Sequence, residues 1–426
     1  MAHTPESSEP SLCDLLTLVV EKAGGMLFSS QPVGLVEALK SPDLNVWHQA
    51  SETIEELSKG LVDAVVRDES FLGNAVRQVN LASGSIGFYP QFVGTHLVIQ
   101  AVKTRSADAA IAWLRKVLET NEAAAKTIQT LWGVPVTEAF DLTPDVRIVP
   151  IRDLADTEQR RYMMGSNFRT NALPISSMLE YMPFESALVV NHTISPLLRD
   201  PALGDSPVTN FVATTDLLKD ISLALTVVGP RMAITGFQWF EYDDPDFSLS
   251  RGYSNYILEV LPLHIYQCPV LDADEARKII TAYLELKGRT RQVVRVALQR
   301  ISQAFRRHNA GDAAVELSTA FEALLGDSST TEMTHKIKVR AVRLIGGSVE
   351  VRRSNAAIIN KAYGIRSKLV HTGQVNEADI ETVNGKRMTG REIIDQALIL
   401  CVDLVKKIIL RGTIPDWAVF DISEQT

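Results

Sequence analysis

The pattern of apolar and polar positions changes twice along this chain of 426 residues. Residues 11–134 show mostly helical spacing, and residues 106–132 predict one long helix or a helical pair. Residues 135–270 contain short runs of Val, Ile, Thr and aromatics, which predict strands separated by loops. From residue 272 to residue 412 the spacing is helical again, apart from a polar loop at 374–390.

These patterns predict a multidomain protein. An α-helical N-terminal region (11–134) follows a disordered tail (1–10), and a mixed α/β domain (135–270) follows that region. An all-α helical bundle (272–412) comes next, and residues 413–426 form a tail in which Pro415 is expected to prevent further helix.

One predicted helix, residues 355–373, carries the most informative side chains. Its apolar residues follow a 3.6-residue period, and Gly373 is a natural stop. Arg366 lies between Tyr363 and Val370 on an apolar face, so its guanidinium needs a buried carboxylate, a second subunit or a bound phosphate. His371 follows in the last turn, where the helix dipole favours its protonated form.

An arginine and a histidine at this spacing suit phosphate chemistry. Arginine holds a phosphate with a planar fork, and histidine moves a proton near neutral pH. Five residues correspond to about 140° on an ideal helix, so the two side chains converge only on something alongside the helix end. Two alternatives stay open: Arg366 forms a buried ion pair with Glu322, and His371 is only a helix-end residue.

Three segments, in this order, resemble the Apea-like branch of the HEPN domains, the higher eukaryotes and prokaryotes nucleotide-binding superfamily. They are AVELSTAFEALLG (314–326), HKIKVRAVRLIGG (335–347) and YGIRSKLVHTG (363–373). The resemblance covers roughly the last third of the chain. It implies an all-α bundle that pairs with a second copy. Many members are metal-independent ribonucleases that use the Arg and His of this motif, and others are inactive binding modules.

The resemblance makes Arg366 and His371 the expected catalytic pair. Five further residues are expected to support them. Ser367 and Lys368 lie between the pair and could contact phosphate. Glu322 and Asp312 are carboxylates that could orient the pair, and Tyr363 is the tyrosine of the motif.

Charge is distributed unevenly. Residues 289–412 contain 21 Lys and Arg against 12 Asp and Glu, whereas the remainder contains 22 against 39. A basic part next to an acidic part suggests nucleic-acid contact by the basic part, and equally suggests that the two parts pack on each other. The two interpretations are compatible, because an acidic region that covers a basic RNA-binding surface would keep the protein inactive until a trigger arrives.

The remaining composition narrows the setting. Cys13, Cys268 and Cys401 lie far apart, which provides no zinc spacing and favours a reducing compartment. The N-terminus has no apolar signal core and no run of 18 apolar residues occurs, so we expect a cytoplasmic protein without a membrane span. No motif calls for a metal or a cofactor.

Taken with the resemblance, these observations predict a regulated endoribonuclease that needs no metal. It would act as a homodimer and leave 2′,3′-cyclic phosphate and 5′-OH ends. Apea-like HEPN domains recur in antiviral defence and abortive infection, which is the expected setting. The alternative is a non-catalytic HEPN binding or dimerisation module. In either case the N-terminal regions would sense a trigger that the sequence does not identify.

Overall fold

A computed structural model gives the architecture of the protein. It describes residues 9–28, 33–41, 43–68, 71, 76–81, 84–164, 183–200, 208–249, 254–256, 268–327, 332–376 and 379–423. Most of the tail predicted at the N-terminus, residues 1–8, lies outside these ranges.

The N-terminal region is mainly helical, as predicted. Its first helix starts with a capping box, in which the Ser11 and Asp14 side chains satisfy each other's backbone N–H groups. A hairpin interrupts the helices, and a short later strand joins it to form a small antiparallel sheet in the order β2-β1-β7. The elements are α1 (Leu12–Ala23), α2 (Leu35–Ala38), α3 (Leu44–Lys59), α4 (Val62–Arg67), β1 (Arg77–Leu81), β2 (Gly84–Phe88), α5 (Pro90–Thr104), α6 (Ala107–Glu119) and β7 (Leu198–Arg199).

A six-stranded antiparallel sheet forms the middle of the molecule, in the order β4-β5-β6-β3-β8-β9. Its central strand corrects the sequence prediction, because the helix predicted over 106–132 ends at Glu119 and the chain continues as a strand. The sheet's strands are β3 (Ala123–Trp132), β4 (Phe140–Asp141), β5 (Val146–Pro150), β6 (Ser186–Ile194), β8 (Ile234–Tyr242) and β9 (Ser254–Tyr256).

Helices cover the two faces of this sheet. On one face, α7 (Glu158–Met164) places Met163 in a cluster with Trp132 and Trp239. On the other face, α8 (Val208–Leu225) packs apolar residues against the sheet and against the helices that follow it in sequence. The sheet, α8 and the C-terminal helices therefore share one continuous hydrophobic cluster.

The C-terminal part is a helical bundle, as predicted, with two additions. The predicted polar loop contains a β-hairpin. The expectation that Pro415 prevents further helix is wrong, because a short helix begins two residues later, where the Asp416 side chain caps its first N–H groups. The elements are α9 (Ala273–Glu285), α10 (Gly288–Arg306), α11 (Ala310–Leu325), α12 (Met333–Ile345), α13 (Val349–Thr372), β10 (Ile380–Val383), β11 (Lys386–Thr389), α14 (Gly390–Arg411) and α15 (Trp417–Ile422).

A buried carboxylate also joins the middle layer to the bundle. Asp220 on α8 is 4% exposed, and it accepts from Arg291 Nη2 at 2.7 Å. Arg295 Nε lies 3.0 Å from the other Asp220 oxygen. Buried charges of this kind need their partners, so these contacts fix the position of α8 on α10.

Within the described ranges, no helix combines the length and the apolarity that crossing a membrane requires.

Candidate active site

The candidate site is built on α13, which is longer than the sequence predicted. It begins at Val349 instead of residue 355, because the Ser348 hydroxyl accepts from the Val351 N–H at 3.3 Å and caps the helix. It ends as predicted at Gly373, whose φ of +71° is the left-handed conformation that favours glycine.

One side of α13 packs into the bundle and fixes the end that carries the motif. Ile358, Ile359 and Ala362 are buried against the neighbouring helices. Near the C-terminal end, a Cβ on Gly311 of α11 would lie 3.1 Å from Leu369 Cδ2. Glycine therefore lets the first turn of α11 approach closely, and this contact holds the last two turns of α13 in place.

Tyr363 belongs to this buried side. Its ring is 7% exposed, and its hydroxyl donates to the Ser318 carbonyl on α11 at 3.4 Å. Burial raises the Tyr363 pKa well above its usual range, the charge of Glu322 raises the pKa further, and the charge of Arg366 opposes the rise. Tyr363 is thus a neutral core residue between a carboxylate and a guanidinium.

Arg366 is half-buried, and its guanidinium has no hydrogen bond or ion pair with any residue that the structure describes. Glu322 is also half-buried and influences the same tyrosine, but the two charged groups do not come within 4 Å of each other as an ion pair. The ion-pair alternative for Arg366 therefore has no support from the geometry. A second subunit or a bound phosphate remains as a partner.

His371 is exposed in the last turn of α13, and its ring makes no hydrogen bond with a described residue. It lies on a different side of the helix from Arg366, as the spacing of five residues requires. Val370, beside it, is 57% exposed, which is a large value for an apolar residue on a packed helix. The last turn of α13 is therefore open on the side that His371 occupies.

His371 ends an open stripe along α13. The stripe is formed by exposed or half-exposed residues at helical spacing, and small residues occupy most of its middle. A Cβ on Gly364 would meet nothing within 4 Å, so the space above the middle of the stripe is free.

The other predicted residues lie in separate places. Ser367 is exposed on the open stripe, four residues before His371. Lys368 lies beside the stripe and pairs with Asp379 at 2.8 Å. Asp312 lies at the first turn of α11, where it bonds to Asn309 through its backbone N–H and its side chain, both at 2.7 Å. The structure therefore groups Arg366, Tyr363 and Glu322, and it groups Ser367 with His371.

A shallow cleft lies next to the end of α13. It has a volume of about 550 Å³ and is lined by the first turn of α11 and by the residues that follow α13: Asn309, Asp312, Leu369, Gly373, Gln374, Val375 and Asn376. Asp312 thus faces the helix end that carries His371, although its carboxylate is already bonded to Asn309.

Sequence reasoning missed the hairpin beside α13 and its two cations, Lys386 and Arg387. The signal was present, because Asn-Gly at positions 384 and 385 is the dipeptide most typical of a two-residue hairpin turn. Within the described residues, no group of three or more His, Cys, Asp or Glu side chains is arranged to hold a metal ion.

No known family model, no curated protein and no solved structure matches this chain. The resemblance to HEPN domains therefore rests on the three sequence segments alone.

Proposed function

We propose that this protein is a HEPN-type endoribonuclease that cleaves RNA without a metal cofactor. One observation carries the proposal: the half-buried Arg366 lacks a partner among the described residues, and an exposed His371 follows it in the last turn of the same helix, where both side chains could reach a phosphate beside the helix end. A guanidinium kept partly out of water without a carboxylate suits a ligand that brings its own negative charge. A phosphodiester is such a ligand.

The chemistry needs only these side chains and the substrate. One histidine removes the proton from the RNA 2′-OH, and the resulting oxygen forms a bond to phosphorus. The bond from phosphorus to the 5′-oxygen breaks, and a second histidine donates the proton that this oxygen takes up. Arg366 stabilises the additional charge on the phosphate as it develops. The products are a 2′,3′-cyclic phosphate and a 5′-OH.

A dimer would supply the second histidine. An interface between identical copies is self-complementary, so each contact occurs twice about a two-fold axis. The open stripe has this property when two copies of α13 cross near Ser367, which brings the two His371 side chains to one cleft, with Gly364 leaving room for the approach.

The N-terminal and middle regions support a regulated enzyme. α8 shares the hydrophobic cluster of the bundle and is joined to α10 through Asp220. A change in the middle layer would therefore reach the bundle directly. We propose that these regions sense a trigger and control cleavage, as in a defence or toxin effector.

The non-catalytic alternative also has an observation in its favour. The His371 ring has no described hydrogen-bond partner to orient it, whereas catalytic histidines are usually oriented by a third group. The open stripe would serve dimerisation equally well in a binding module with an N-terminal sensor region.

The test is incubation of the purified full-length protein with tRNA and with total cellular RNA in the presence of EDTA. His371→Ala is the active-site variant, and His48→Ala is the control because His48 is an exposed histidine on α3. We expect wild type and His48→Ala to cleave equally and His371→Ala to be inactive. Cleavage at the same sites by His371→Ala would refute the assignment.

A further inference from the structure

The β10–β11 hairpin is fixed against α13. Its turn uses two left-handed residues, Asn384 with φ of +53° and Gly385 with φ of +78°. The Asn384 amide donates to the Ser354 hydroxyl at 2.7 Å and to the Ser354 carbonyl at 3.2 Å. Val383 and Met388 are buried on the inner face. The turn therefore has a defined position beside the N-terminal half of α13.

Three cations surround this turn, and we call them the hairpin cluster: Arg353, Lys386 and Arg387. Asn384 binds the residue next to Arg353, and Lys386 and Arg387 begin the second strand of the hairpin. All three side chains are exposed, and none makes a hydrogen bond or an ion pair with a residue that the structure describes.

The neighbouring charges are already engaged. Lys361 pairs with Glu381 at 2.5 Å, and Lys368 pairs with Asp379 at 2.8 Å. Glu350 interacts with the Ser348 hydroxyl at the N-terminus of α13. Among the residues that the structure describes, the hairpin cluster is thus a group of three cations without compensating contacts, near other cations that are neutralised.

We infer that the hairpin cluster binds the phosphodiester backbone of single-stranded RNA. This inference rests on the proposed function and deepens it, because it assigns the surface that holds the substrate. Three exposed cations, two on a fixed hairpin and one on the adjacent helix, suit a repeating anion, since each can contact a separate phosphate.

The position of the cluster favours RNA as the ligand. Arg353 and His371 are 18 residues apart on one face of a single helix, which corresponds to about 27 Å. A strand bound at the cluster and running along α13 would therefore reach His371. Because the two copies cross near the His371 end of α13, the hairpin cluster lies outside the proposed dimer contact.

The test measures RNA binding separately from cleavage. Full-length His371→Ala is titrated into a fluorescein-labelled, unstructured 20-nucleotide RNA, and anisotropy is recorded from 50 to 300 mM KCl. The same background then receives Arg353→Ala, Lys386→Ala and Arg387→Ala together. The control triple variant carries Lys22→Ala, Lys59→Ala and Lys103→Ala, three exposed lysines without described partners on the N-terminal helices.

Counterion release sets the expected size. Each phosphate contact with a single strand contributes about 0.7 to the slope of log K against log salt, so three contacts contribute about 2. If the parent and the cluster variant bind RNA equally at 1 M salt, this difference in slope makes the cluster variant bind about 50-fold more weakly than its parent at 0.15 M salt. We expect the control variant to bind within about twofold of its parent, because its lysines lie on a different region.

Three results would overturn the inference: no RNA binding by the His371→Ala parent, equal losses in the two triple variants, or cluster-dependent binding to phosphatidylserine vesicles with unchanged RNA binding. Unchanged thermal unfolding of the variants shows that they are folded. The two proposals fail separately. Cluster-dependent RNA binding by a wild type that does not cleave refutes only the nuclease, and cleavage with cluster-independent binding refutes only this inference.

Discussion

Replacing Arg366 with leucine should remove RNA cleavage without destabilising the fold. The guanidinium is half-buried beside the buried Tyr363 and has no described partner, so its removal leaves no carboxylate unpaired. Leucine has nearly the same helix propensity as arginine and favours a partly apolar position. A group retained at such a position at the expense of stability is typical of a functional site.

The contrasting variant is Arg340→Leu on α12. The Arg340 side chain is 2% exposed, lies 2.7 Å from Asp421 and 2.8 Å from Asp327, and stacks on Trp417 at 5.2 Å. Its removal leaves the partly buried Asp421 without this partner and Asp327 with Lys336 at 3.3 Å, which should cost about 2–4 kcal/mol. Arg366→Leu should change the free energy of unfolding by less than about 1 kcal/mol, in the stabilising direction.

Both variants are compared with wild type by guanidinium unfolding at one protein concentration and by RNA cleavage. The expected result is an inactive Arg366→Leu that is as stable as wild type, beside a clearly destabilised Arg340→Leu. If Arg366→Leu lost as much stability as Arg340→Leu, the guanidinium would have a structural partner and the reasoning about the site would fail.

Three further predictions follow from other contacts. Gly364→Glu should convert dimers to monomers in sedimentation velocity and abolish cleavage, because this position faces open space; a dimeric variant would contradict the proposed interface. Burial raises the Glu316 pKa, but Arg307 and Arg300 outweigh burial and hold it below 4.5. The ion pairs therefore stabilise the fold fully above pH 4.5 and progressively less below it. Glu316→Gln should cost about 1–2 kcal/mol at pH 7 and less as the pH falls below 4.5; a cost independent of pH would argue against this. Burial lowers the His96 pKa below 6.5, so wild type should lose stability as the pH falls below 6.5; denaturant unfolding should show a smaller loss in His96→Gln, and equal losses would exclude His96 as the cause.

Local patterns were sufficient for most of the helices. The bundle helices have a regular apolar period, and Gly373 and Gly412 end α13 and α14 in left-handed conformations that the sequence indicates directly. The strands β5, β6 and β8 were also recognisable, because β-branched and aromatic residues dominate them. The coarse order of a helical region, a mixed region and a helical region followed from these signals.

β3 could not be recognised from local patterns. Its sequence begins Ala-Ala-Ala-Lys, which favours a helix, and it lies between β6 and β8 in the centre of the sheet. Residues 127–132 are all buried, so this part of the strand has no alternating polar face. A strand buried on both faces lacks the period of two that identifies half-buried strands. Tertiary pairing decided this element.

The candidate site was predictable in its residue types and less so in its geometry. The sequence placed Arg366 and His371 at the end of one helix, and α13 has them there. It left open whether Glu322 neutralises Arg366, because ion pairing depends on how α11 and α13 approach each other. That approach is set by Gly311 against Leu369, a contact between positions 58 residues apart.

The ends of the RNA products test the central claim most directly. Full-length wild type is incubated with a defined RNA in EDTA, and the fragments are analysed by mass spectrometry. If Arg366 and His371 promote attack by the 2′-OH, the upstream fragments carry 2′,3′-cyclic phosphates and the downstream fragments carry 5′-OH groups. Fragments with 3′-OH and 5′-phosphate ends would contradict the account, because water rather than the 2′-OH would then be the nucleophile.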